Sequence, residues 1–176
     1  MNSMTSLRPA RTSDYPVLVN AIQVWWADSR TPEQARALSL LLPQLFLQHF
    51  ASTSLIAEDE TRIHGLLVGF FSPDHLEQAY IHFVGIDPRS RGQGLARRLY
   101  LTFFDRAIAA GRFEVIAITA PQNTGSIAFH EALGFTLVGD AEGAVVHRHY
   151  DGPYEDRVVF HRSLILPASS GTAISS

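Results

Sequence analysis

Two glycines and several arginines lie close together in the segment GIDPRSRGQGLARRLY, between an apolar run and an amphipathic one. Gly92 and Gly94 stand where the amphipathic run begins. If that run is a helix, its free backbone N–H groups and the positive end of its dipole favour an anion at this point. Glycine has no Cβ, so the oxygens of a phosphate can approach the backbone closely.

Arg97 and Arg98 follow in the first turn, where the helix dipole prefers acidic side chains. Two arginines at this point are equally typical of a solvated helix start, because such exposed charges cost only about a few tenths of a kcal/mol. Their spacing relative to the two glycines favours the other interpretation, a bound pyrophosphate.

Two familiar nucleotide motifs do not fit this segment. A dinucleotide fingerprint, G-x-G-x-x-G, requires a third glycine, but Arg97 occupies that position and would obstruct close packing of helix and strand. The acidic residue expected at a strand end about 20 residues further on is also missing, since Glu114 begins a strand instead. No G-K-[ST] follows, as a phosphate loop of the Walker type requires. A nicotinamide-dependent oxidoreductase is therefore the weaker alternative.

Composition excludes several classes of chemistry. The chain has 176 residues, a net charge of −3 and no cysteine, so disulfides, thiolate metal sites and a cysteine nucleophile are ruled out. The charge gives no reason to expect a nucleic acid or an anionic membrane as partner. The first residues lack the apolar core of a signal peptide, and every apolar run falls short of the roughly 20 residues that span a bilayer. We expect a cytoplasmic protein.

Strand and helix patterns alternate along the chain. The strand candidates are SLRPA, SLIAED, RIHGLLVGFF and QAYIHFVGI before the glycine motif, and FEVIAITA, TLVGD and RVVFHRSL after it. A short polar turn near Glu60 suggests that the second and third form an antiparallel hairpin. Together these strands and helices predict an α/β fold with a mixed, mostly antiparallel sheet of six or seven strands and one β-α-β crossover in the middle.

Helix signals are strongest at two capping sites. Ser13 or Asp14 is a candidate cap for a first helix that runs to about Trp26, and the residues TPEQ form a capping box for a second helix, which must bend or break at Pro43. Two later helices follow the glycine motif and the segment QN, and each ends at a glycine, Gly111 and Gly134. We expect a single domain over residues 1–166 and a disordered polar tail over residues 167–176.

The segment VGIDPRSRGQGLARRL resembles the acyl-CoA-binding motif of the GCN5-related N-acetyltransferase (GNAT) superfamily, whose signature is [Q/R]-x-x-G-x-[G/A]. A second segment, NTGSIAFHEALGF, is similar to the family's N-x-x-[A/S]-x-x-x-[Y/H]-x-x-x-G-F helix. The matching residues are Arg89, Gly92 and Gly94 in the first motif, and Asn123, Ser126, Gly134 and Phe135 in the second. The order of elements agrees with the family from about Leu7 to Leu164.

The resemblance implies the GNAT fold, with a twisted sheet splayed at its centre and about four flanking helices. It also implies acetyl-CoA as co-substrate, with pantetheine in the gap of the splayed sheet beside a bulged strand over residues 84–86, where Gly85 eases the distortion. The Val84 N–H would polarise the thioester carbonyl, and the amides of residues 91–96 would hold the pyrophosphate. The cofactor-binding residues implied are Val84, Gly85, Ile86, Arg89, Arg91, Gly92, Gln93, Gly94, Leu95, Ala96, Arg97, Asn123, Ser126 and Phe129. For Asn123, a helix cap is the alternative role.

Acyl transfer from a thioester to an amine needs a base, because an amine with a pKa of about 10 is mostly protonated at neutral pH. In the strand AYIHFVGI, Ile81 and Phe83 are expected to face the core, so Tyr80 and His82 share the other face, towards the cleft. Some members of the family carry a glutamate where Tyr80 stands. His82 is therefore the leading base, with a partly buried, hydrogen-bonded histidine as the alternative. Tyr80 is a further candidate for a catalytic role.

The leaving thiolate needs a proton donor. Many relatives have a tyrosine seven residues after the motif asparagine, and this chain has His130 there. An imidazolium could serve as the acid, or the ring could only pack against the pantetheine arm. Without cysteine, direct attack of the amine within a ternary complex is the simpler mechanism.

The remaining candidates concern the acceptor and a metal. The resemblance implies that the loop HRHYDGPYEDR borders the acceptor site or a dimer partner and that the pair of tryptophans lies near the acceptor cleft. Of two adjacent tryptophans on one helix, one is expected in the core and the other lining the cleft. The named candidates are Tyr150, Tyr154, Glu155, Asp156, Trp25 and Trp26. His147 and His149 have no third ligand in view, so no metal is expected.

The sequence thus predicts an N-acetyltransferase that moves an acetyl group from acetyl-CoA to the amine of a small molecule or peptide. A non-catalytic acyl-CoA-binding module of the same fold is the alternative, because the glutamate and tyrosine of the family's two catalytic positions are replaced. The expected partners are acetyl-CoA and an amine acceptor. A homodimer stays open, since dimers are frequent in the family.

Overall fold

The computed structural model describes residues 5–27 and 31–165. In these residues, eight strands form one sheet: β1 Ser6–Pro9, β2 Leu55–Glu58, β3 Ile63–Phe71, β4 Gln78–Ile86, β5 Glu114–Thr119, β6 Thr136–Val138, β7 Val146–His147 and β8 Arg157–Ser163. Five helices flank it: α1 Tyr15–Trp25, α2 Pro32–Ser39, α3 Leu45–His49, α4 Leu95–Ala109 and α5 Thr124–Ala132. The predicted disordered tail lies outside the described residues.

The strand order is β1-β2-β3-β4-β5-β8-β6, and β7 also pairs with β8. Only the β4–β5 pair is parallel, with α4 as its crossover, and the other pairs are antiparallel. The predicted mixed, mostly antiparallel sheet is therefore confirmed. The additional strand is the two-residue β7 within a polar loop, and the additional helix is α3, which follows the predicted break at Pro43.

Helix ends agree with most of the capping signals. Thr31 Oγ1 accepts from the Gln34 backbone N–H, and the Gln34 side chain accepts from the Thr31 N–H, so the capping box forms. At the end of α5, the Phe135 N–H donates to the His130 carbonyl across Gly134, which has a φ of +81°. Asp14 precedes α1 but does not cap it, because its carboxylate instead accepts from the Arg11 backbone N–H.

Two apolar layers enclose the sheet. The layer beneath α4 includes Leu99, Phe103 and Phe160, and the layer beneath α1–α3 includes Leu18 and Leu47. Because both faces of the central strands are covered, the middle of β3 is buried at every position instead of alternating. This explains the unbroken apolar run of that strand in the sequence.

The sheet is splayed between β4 and β5. Parallel pairing begins at Gln78–Glu114 and ends at Ile81–Ala117, although β4 continues to Ile86 and β5 to Thr119. The later residues of β4 are therefore not paired with β5. The splayed centre implied by the resemblance is confirmed.

A β-bulge lies in β4 at His82. Val68 of β3 pairs with Phe83, and the next residue, Gly69, pairs with Ile81, so His82 is the extra residue. Ile81 consequently packs in the layer beneath α4, whereas Phe83 packs in the layer beneath α1–α3. The prediction that these two side chains face the same core is wrong, because strict alternation does not pass through a bulge.

The bulge expected over residues 84–86 lies instead at His82, and Gly85 has a packing role. A Cβ at this position would lie 3.1 Å from Cη2 of Trp26 and 3.2 Å from Cδ2 of Leu66. Glycine thus lets α1 approach the sheet close to the end of β4. None of the described helices is long and apolar enough to cross a membrane.

Gly69, beside the bulge, offers a test of this packing. An added Cβ would lie 2.6 Å from Cε2 of Phe103 and 2.9 Å from the Tyr80 carbonyl oxygen. We expect Gly69→Ala to lower the free energy of unfolding by about 1–3 kcal/mol, measured by urea denaturation. Gly125→Ala is the matched control, because a Cβ there meets nothing within 4 Å and alanine favours the helix. Equal stability of Gly69→Ala and the wild type would contradict the close packing.

Candidate active site

A cavity of about 380 Å³ opens where β4 and β5 separate. Residues 81–84 of β4 and residues 117–120 at the end of β5 form its central walls. Tyr100 of α4 and residues from the start and body of α5 also line it, as do residues from α1, α2, the following turn and the β7–β8 loop. These further lining residues are Asn123, Ser126, His130, Trp26, Leu38, Leu41, Asp151 and Arg157.

His82 is fixed in this cavity by its bulge and by two contacts. Its Nε2 lies 2.6 Å from the Leu41 carbonyl oxygen, which can only accept, so Nε2 carries a proton. Its ring stacks on Phe46 of α3 at a centroid distance of 4.2 Å and an interplanar angle of 12°. In the neutral ring Nδ1 is therefore the basic nitrogen, and it has no hydrogen bond within the described residues.

Burial lowers the pKa of His82 below its usual value, although the Leu41 carbonyl and the carboxylate of Asp151 act in the opposite direction. The ring is consequently neutral at neutral pH, with Nδ1 ready to accept a proton. The hydrogen-bonded alternative from the sequence also applies, since the Leu41 contact is what orients the ring.

Tyr80 lies on the same face as His82 but does not line the cavity. It stacks on Phe70 at 5.3 Å, and Phe70, Phe50, Phe46 and His82 continue the row of rings. Burial raises the pKa of Tyr80, and the nearby Tyr150 and Asp151 act in the same direction. Tyr80 thus supports the row of rings that includes His82, and its catalytic role stays a prediction.

His130 is buried and both of its nitrogens are engaged. Nδ1 donates to the Ser126 carbonyl oxygen at 2.7 Å, so Nε2 accepts from the Tyr100 hydroxyl at 3.0 Å. The ring stacks face to face on Phe160. Burial lowers the pKa of His130, which disfavours the imidazolium that an acid role needs. The assignment of the acid to His130 stays a prediction, and Tyr100 is the partner that the sequence did not indicate.

Asn123 caps α5 and also lines the cavity. Its Oδ1 accepts from the Ser126 N–H at 3.2 Å, and its Nδ2 donates to Thr119 Oγ1 at 3.2 Å. The two roles considered for this asparagine are therefore compatible. Phe129, the other candidate on α5, packs edge-on against Tyr100 at 5.3 Å and does not line the cavity.

The glycine motif forms an exposed loop at the start of α4. Gly92 and Gly94 both have a φ of +73°, in the left-handed region that favours glycine, and a Cβ at either would meet nothing within 4 Å. The loop leads into a 15-residue helix whose first turn has no acidic residue. Backbone donors, open space and the positive helix end together fit a pyrophosphate group.

Side chains around the loop have different surroundings. Arg89 folds back onto the buried carboxylate of Asp87, with Nη2 and Oδ2 2.9 Å apart. Arg91 lies over the ring of Trp26 at 5.9 Å. Leu95 is buried in the core, so only its backbone can contact a ligand. Of the other candidates, Gln93 and Arg97 are exposed, Ala96 and Ile86 are half-buried, and Val84 lines the cavity.

The β7–β8 loop contributes other residues than those predicted. Asp151 and Arg157 line the cavity and are joined by an ion pair of 2.7 Å between Oδ2 and Nε. Arg157 also pairs with Glu155 at 2.9 Å. Tyr154 is 92% exposed and does not line the cavity. The sequence marks this loop as polar, but no pattern in it indicates which carboxylate turns inward.

The tryptophan pair and the two histidines of the last loop have the following surroundings. Trp25 is buried and Trp26 lines the cavity, as expected for the pair. His147 Nε2 donates to the Val138 carbonyl, and His149 Nδ1 accepts from the Tyr154 N–H. In the part of the chain that the structure describes, no group of three or more His, Cys, Asp or Glu side chains could hold a metal ion.

The chain belongs to the acetyltransferase (GNAT) family, which it matches over residues 18–135, about two thirds of its length. The matched range contains β4, the glycine loop, α4 and α5, and hence both motifs. The family predicted from these motifs is confirmed. The predicted enzyme class, an acetyltransferase, and the predicted co-substrate, acetyl-CoA, are those of this family.

Several similar proteins are L-2,4-diaminobutyric acid acetyltransferases. The one from Halalkalibacterium halodurans is 29% identical over 89 residues, which are 51% of this chain and 47% of that protein. The one from Streptomyces coelicolor is 28% identical over 183 residues and covers 96% of this chain and 99% of that protein. The match thus spans about half of the first relative and nearly all of the second.

A solved structure has the same fold. The diaminobutyrate acetyltransferase EctA from Paenibacillus lautus, in complex with L-2,4-diaminobutyric acid and coenzyme A, has a TM-score of 0.68 and 20% identity. The likeness covers 94% of this chain and 98% of that chain. At this identity it shows the fold, and it confirms the GNAT fold expected from the motifs.

Gly92→Asp tests the loop as a phosphate site. We expect acetyl-CoA binding to be lost in calorimetry, because the side chain strains a residue at φ +73° and sets a negative charge against the phosphates. Gly111→Asp is the matched control, with φ +74° at the other end of α4. Gly111→Asp should lower the free energy of unfolding by a similar amount and keep the wild-type affinity for acetyl-CoA. Unchanged affinity of Gly92→Asp would contradict the site.

Proposed function

We propose that this protein is an acetyl-CoA-dependent N-acetyltransferase that acetylates a small amine by direct attack in a ternary complex. One observation carries the proposal: the gap between β4 and β5 holds a neutral histidine with a basic nitrogen, and the same strand leads into the glycine loop. Acetyl-CoA supplies the reactive thioester when it is bound. The amides of residues 91–96 and the unpaired end of β4 are the groups that would hold it.

The relatives support a small amino acid as the acceptor. Those described above are named for L-2,4-diaminobutyric acid, a diamine with a carboxylate. We therefore propose a compound of this chemical class as the first acceptor to test, in preference to a peptide amine.

His82 is the proposed base. Its Nε2 proton is held by the Leu41 carbonyl, so Nδ1 can take a proton from the attacking amine while the ring stays in place on Phe46. The bulge in β4 directs this ring to the cavity. Geometry fixes the tautomer, and burial keeps the ring neutral before the reaction.

The Tyr100–His130 pair is proposed for the leaving-group side. Burial raises the pKa of Tyr100, so its hydroxyl keeps its proton at neutral pH. That O–H, now donated to His130 Nε2, can be donated to negative charge that develops on the leaving group. His130 then acts by holding the hydroxyl in position. The backbone N–H of Val84 is the proposed donor to the carbonyl oxygen.

Asp151 is the proposed contact for the acceptor's positive charge. Arg157 carries one charge, and Asp151 and Glu155 pair with it, so the three groups have a net charge of −1. Asp151 lines the cavity and acts electrostatically on His82. A cationic amine would therefore be attracted to the cavity close to the base.

His82→Gln tests the base. Glutamine retains a side-chain N–H for the Leu41 carbonyl but has no basic nitrogen, so we expect kcat to fall by about 10²–10⁴-fold. Acetyl-CoA affinity should stay within about twofold of the wild type, since no phosphate contact changes. The assay measures thiol release with acetyl-CoA and a panel of small amines that includes L-2,4-diaminobutyric acid.

The pH profile adds a second readout. Because burial places the pKa of His82 below its usual value, the acid limb of kcat/KM in the wild type should lie below about pH 6.5. This limb should be absent in His82→Gln. His75→Gln, an exposed histidine in the β3–β4 turn, is the control. Binding of acetyl-CoA with no acceleration by any amine would favour the non-catalytic module instead.

Asp151→Asn tests the acceptor contact. Loss of the charge should raise KM for a cationic amine by about tenfold and leave KM for acetyl-CoA unchanged, since the phosphate loop is not involved. Added salt should weaken acceptor binding to the wild type more than to the variant. Asp156→Asn is the control, because Asp156 lies in the same loop but does not line the cavity. Equal KM values for wild type and Asp151→Asn would contradict the assignment.

A further inference from the structure

Three side chains, the half-buried Asp59 and the buried His64 and Ser90, form a hydrogen-bonded chain that ends two residues before Gly92 of the glycine loop. His64 Nε2 lies 2.7 Å from Asp59 Oδ2, and His64 Nδ1 lies 2.8 Å from Ser90 Oγ. His64 and Ser90 are 8% and 4% exposed. None of the three lines the cavity. The proposed reaction gives these three hydrogen-bonded side chains no role.

Asp59 anchors one end of the chain. It follows β2, and its Oδ1 accepts from the Thr61 N–H at 2.7 Å, from Thr61 Oγ1 at 2.6 Å and from the Arg62 N–H at 3.1 Å. These bonds, those from Thr61 first, hold the pKa of Asp59 well below its usual range. The carboxylate is therefore a fixed acceptor at the tip of the β2–β3 hairpin.

His64 has one tautomer as a result. An ionised carboxylate can only accept, so Nε2 of His64 must carry the proton. In the neutral ring Nδ1 then accepts the hydroxyl proton of Ser90. The Asp59 carboxylate thus determines that His64 donates from Nε2, and with the ring neutral Ser90 donates to Nδ1.

Ser90 connects this chain to the glycine loop. It ends the short 3₁₀ turn Pro88–Ser90, and Gly92 lies only two residues further on. The same turn is held from the backbone, because the Asp87 N–H donates to the His64 carbonyl oxygen at 2.8 Å. His64 therefore fixes the entry to the loop twice, through its carbonyl group and through its ring.

The three residue types are those of a hydrolase triad, but the arrangement cannot act as one. In a Ser-His-Asp triad the carboxylate binds Nδ1 and the serine binds Nε2, and here the two are exchanged. Ser90 Oγ is also enclosed, so a substrate cannot reach it. A role in positioning remains.

We propose that the Asp59–His64–Ser90 chain positions the glycine loop so that its amides are prearranged for the pyrophosphate. This proposal rests on the proposed function only because that function identifies the ligand as acetyl-CoA. The turn that leads into the loop is also held by Asp87, whose carboxylate accepts from the Arg89 backbone N–H at 2.9 Å and pairs with Arg62 and Arg89. Gly92 and Gly94 themselves have positive φ, and a Cβ at either would meet nothing within 4 Å, so the loop has open space around it and the Ser90 contact adds to what holds its entry. Holding it before binding reduces the entropy lost on binding.

Two variants remove the hydrogen bond between His64 and Ser90. Ser90→Ala removes the hydroxyl, and His64→Gln keeps a donor near Asp59 but loses the group next to Ser90. Each should raise the dissociation constant of coenzyme A by about three- to tenfold, measured by calorimetry. The KM for acetyl-CoA should rise equally, with kcat and the KM for the amine within about twofold of wild type. His64→Asn, which keeps a polar group beside Ser90, should recover part of the affinity.

A readout without ligand separates this proposal from the proposed function. In the free protein, hydrogen–deuterium exchange of the amides of residues 91–96 should be faster in Ser90→Ala and His64→Gln than in the wild type. Gly69→Ala, whose added Cβ clashes with Phe103 in the middle of α4, controls for a general loss of stability. In this variant the exchange of the loop amides should increase only as much as the exchange of the core amides does. If exchange is faster in the two variants but neither they nor the wild type bind coenzyme A, the positioning proposal stands and the proposed function is overturned. Wild-type exchange and affinity in both variants would overturn the positioning.

Discussion

Parallel hydrogen bonding between β4 and β5 stops after the Ile81–Ala117 pair, and the site depends on that interruption. Up to this pair the two strands are joined like any others, and beyond it their backbones separate around the cavity. Unpaired main chain in a protein interior is costly unless a ligand or water satisfies it. This unpaired segment of β4 lies directly before the glycine loop, so in the proposed complex one strand would serve both the reactive end and the phosphate end of a long ligand.

Aromatic packing maintains the opening from one side. α3 is only five residues long, yet Phe46 stacks on His82 and Phe50 packs near Phe70, so this helix holds the face of β4 that bears the bulge. α1 approaches the same strand at Gly85, where Trp26 fits only because no Cβ is present. One side of the cavity is thus built from the segment between β1 and β2, and the other from α4 and α5, which carry parts of the two motifs.

Much of this arrangement could be predicted from local sequence. The capping box at Thr31, the glycine ends of α4 and α5 and the two motifs each depend on a few adjacent residues, and the structure has them where expected. The bulge at His82 depends on how β3 and β4 are paired, so strict alternation placed Phe83 on the wrong face. Tyr100, Asp151 and Arg157 reach the cavity only because the fold brings distant segments together around it, from Trp26 to Arg157, and no local sequence pattern marks any of the three.

Leu41 has two separate roles. Its carbonyl oxygen orients His82, while its side chain forms part of the cavity wall. A main-chain group is present whatever amino acid is encoded, so replacement of this leucine changes the shape of the cavity and keeps the carbonyl that orients the histidine. In the proposed reaction, selection for a new acceptor would therefore act on this position without loss of the base, and directed evolution of acceptor preference can begin there.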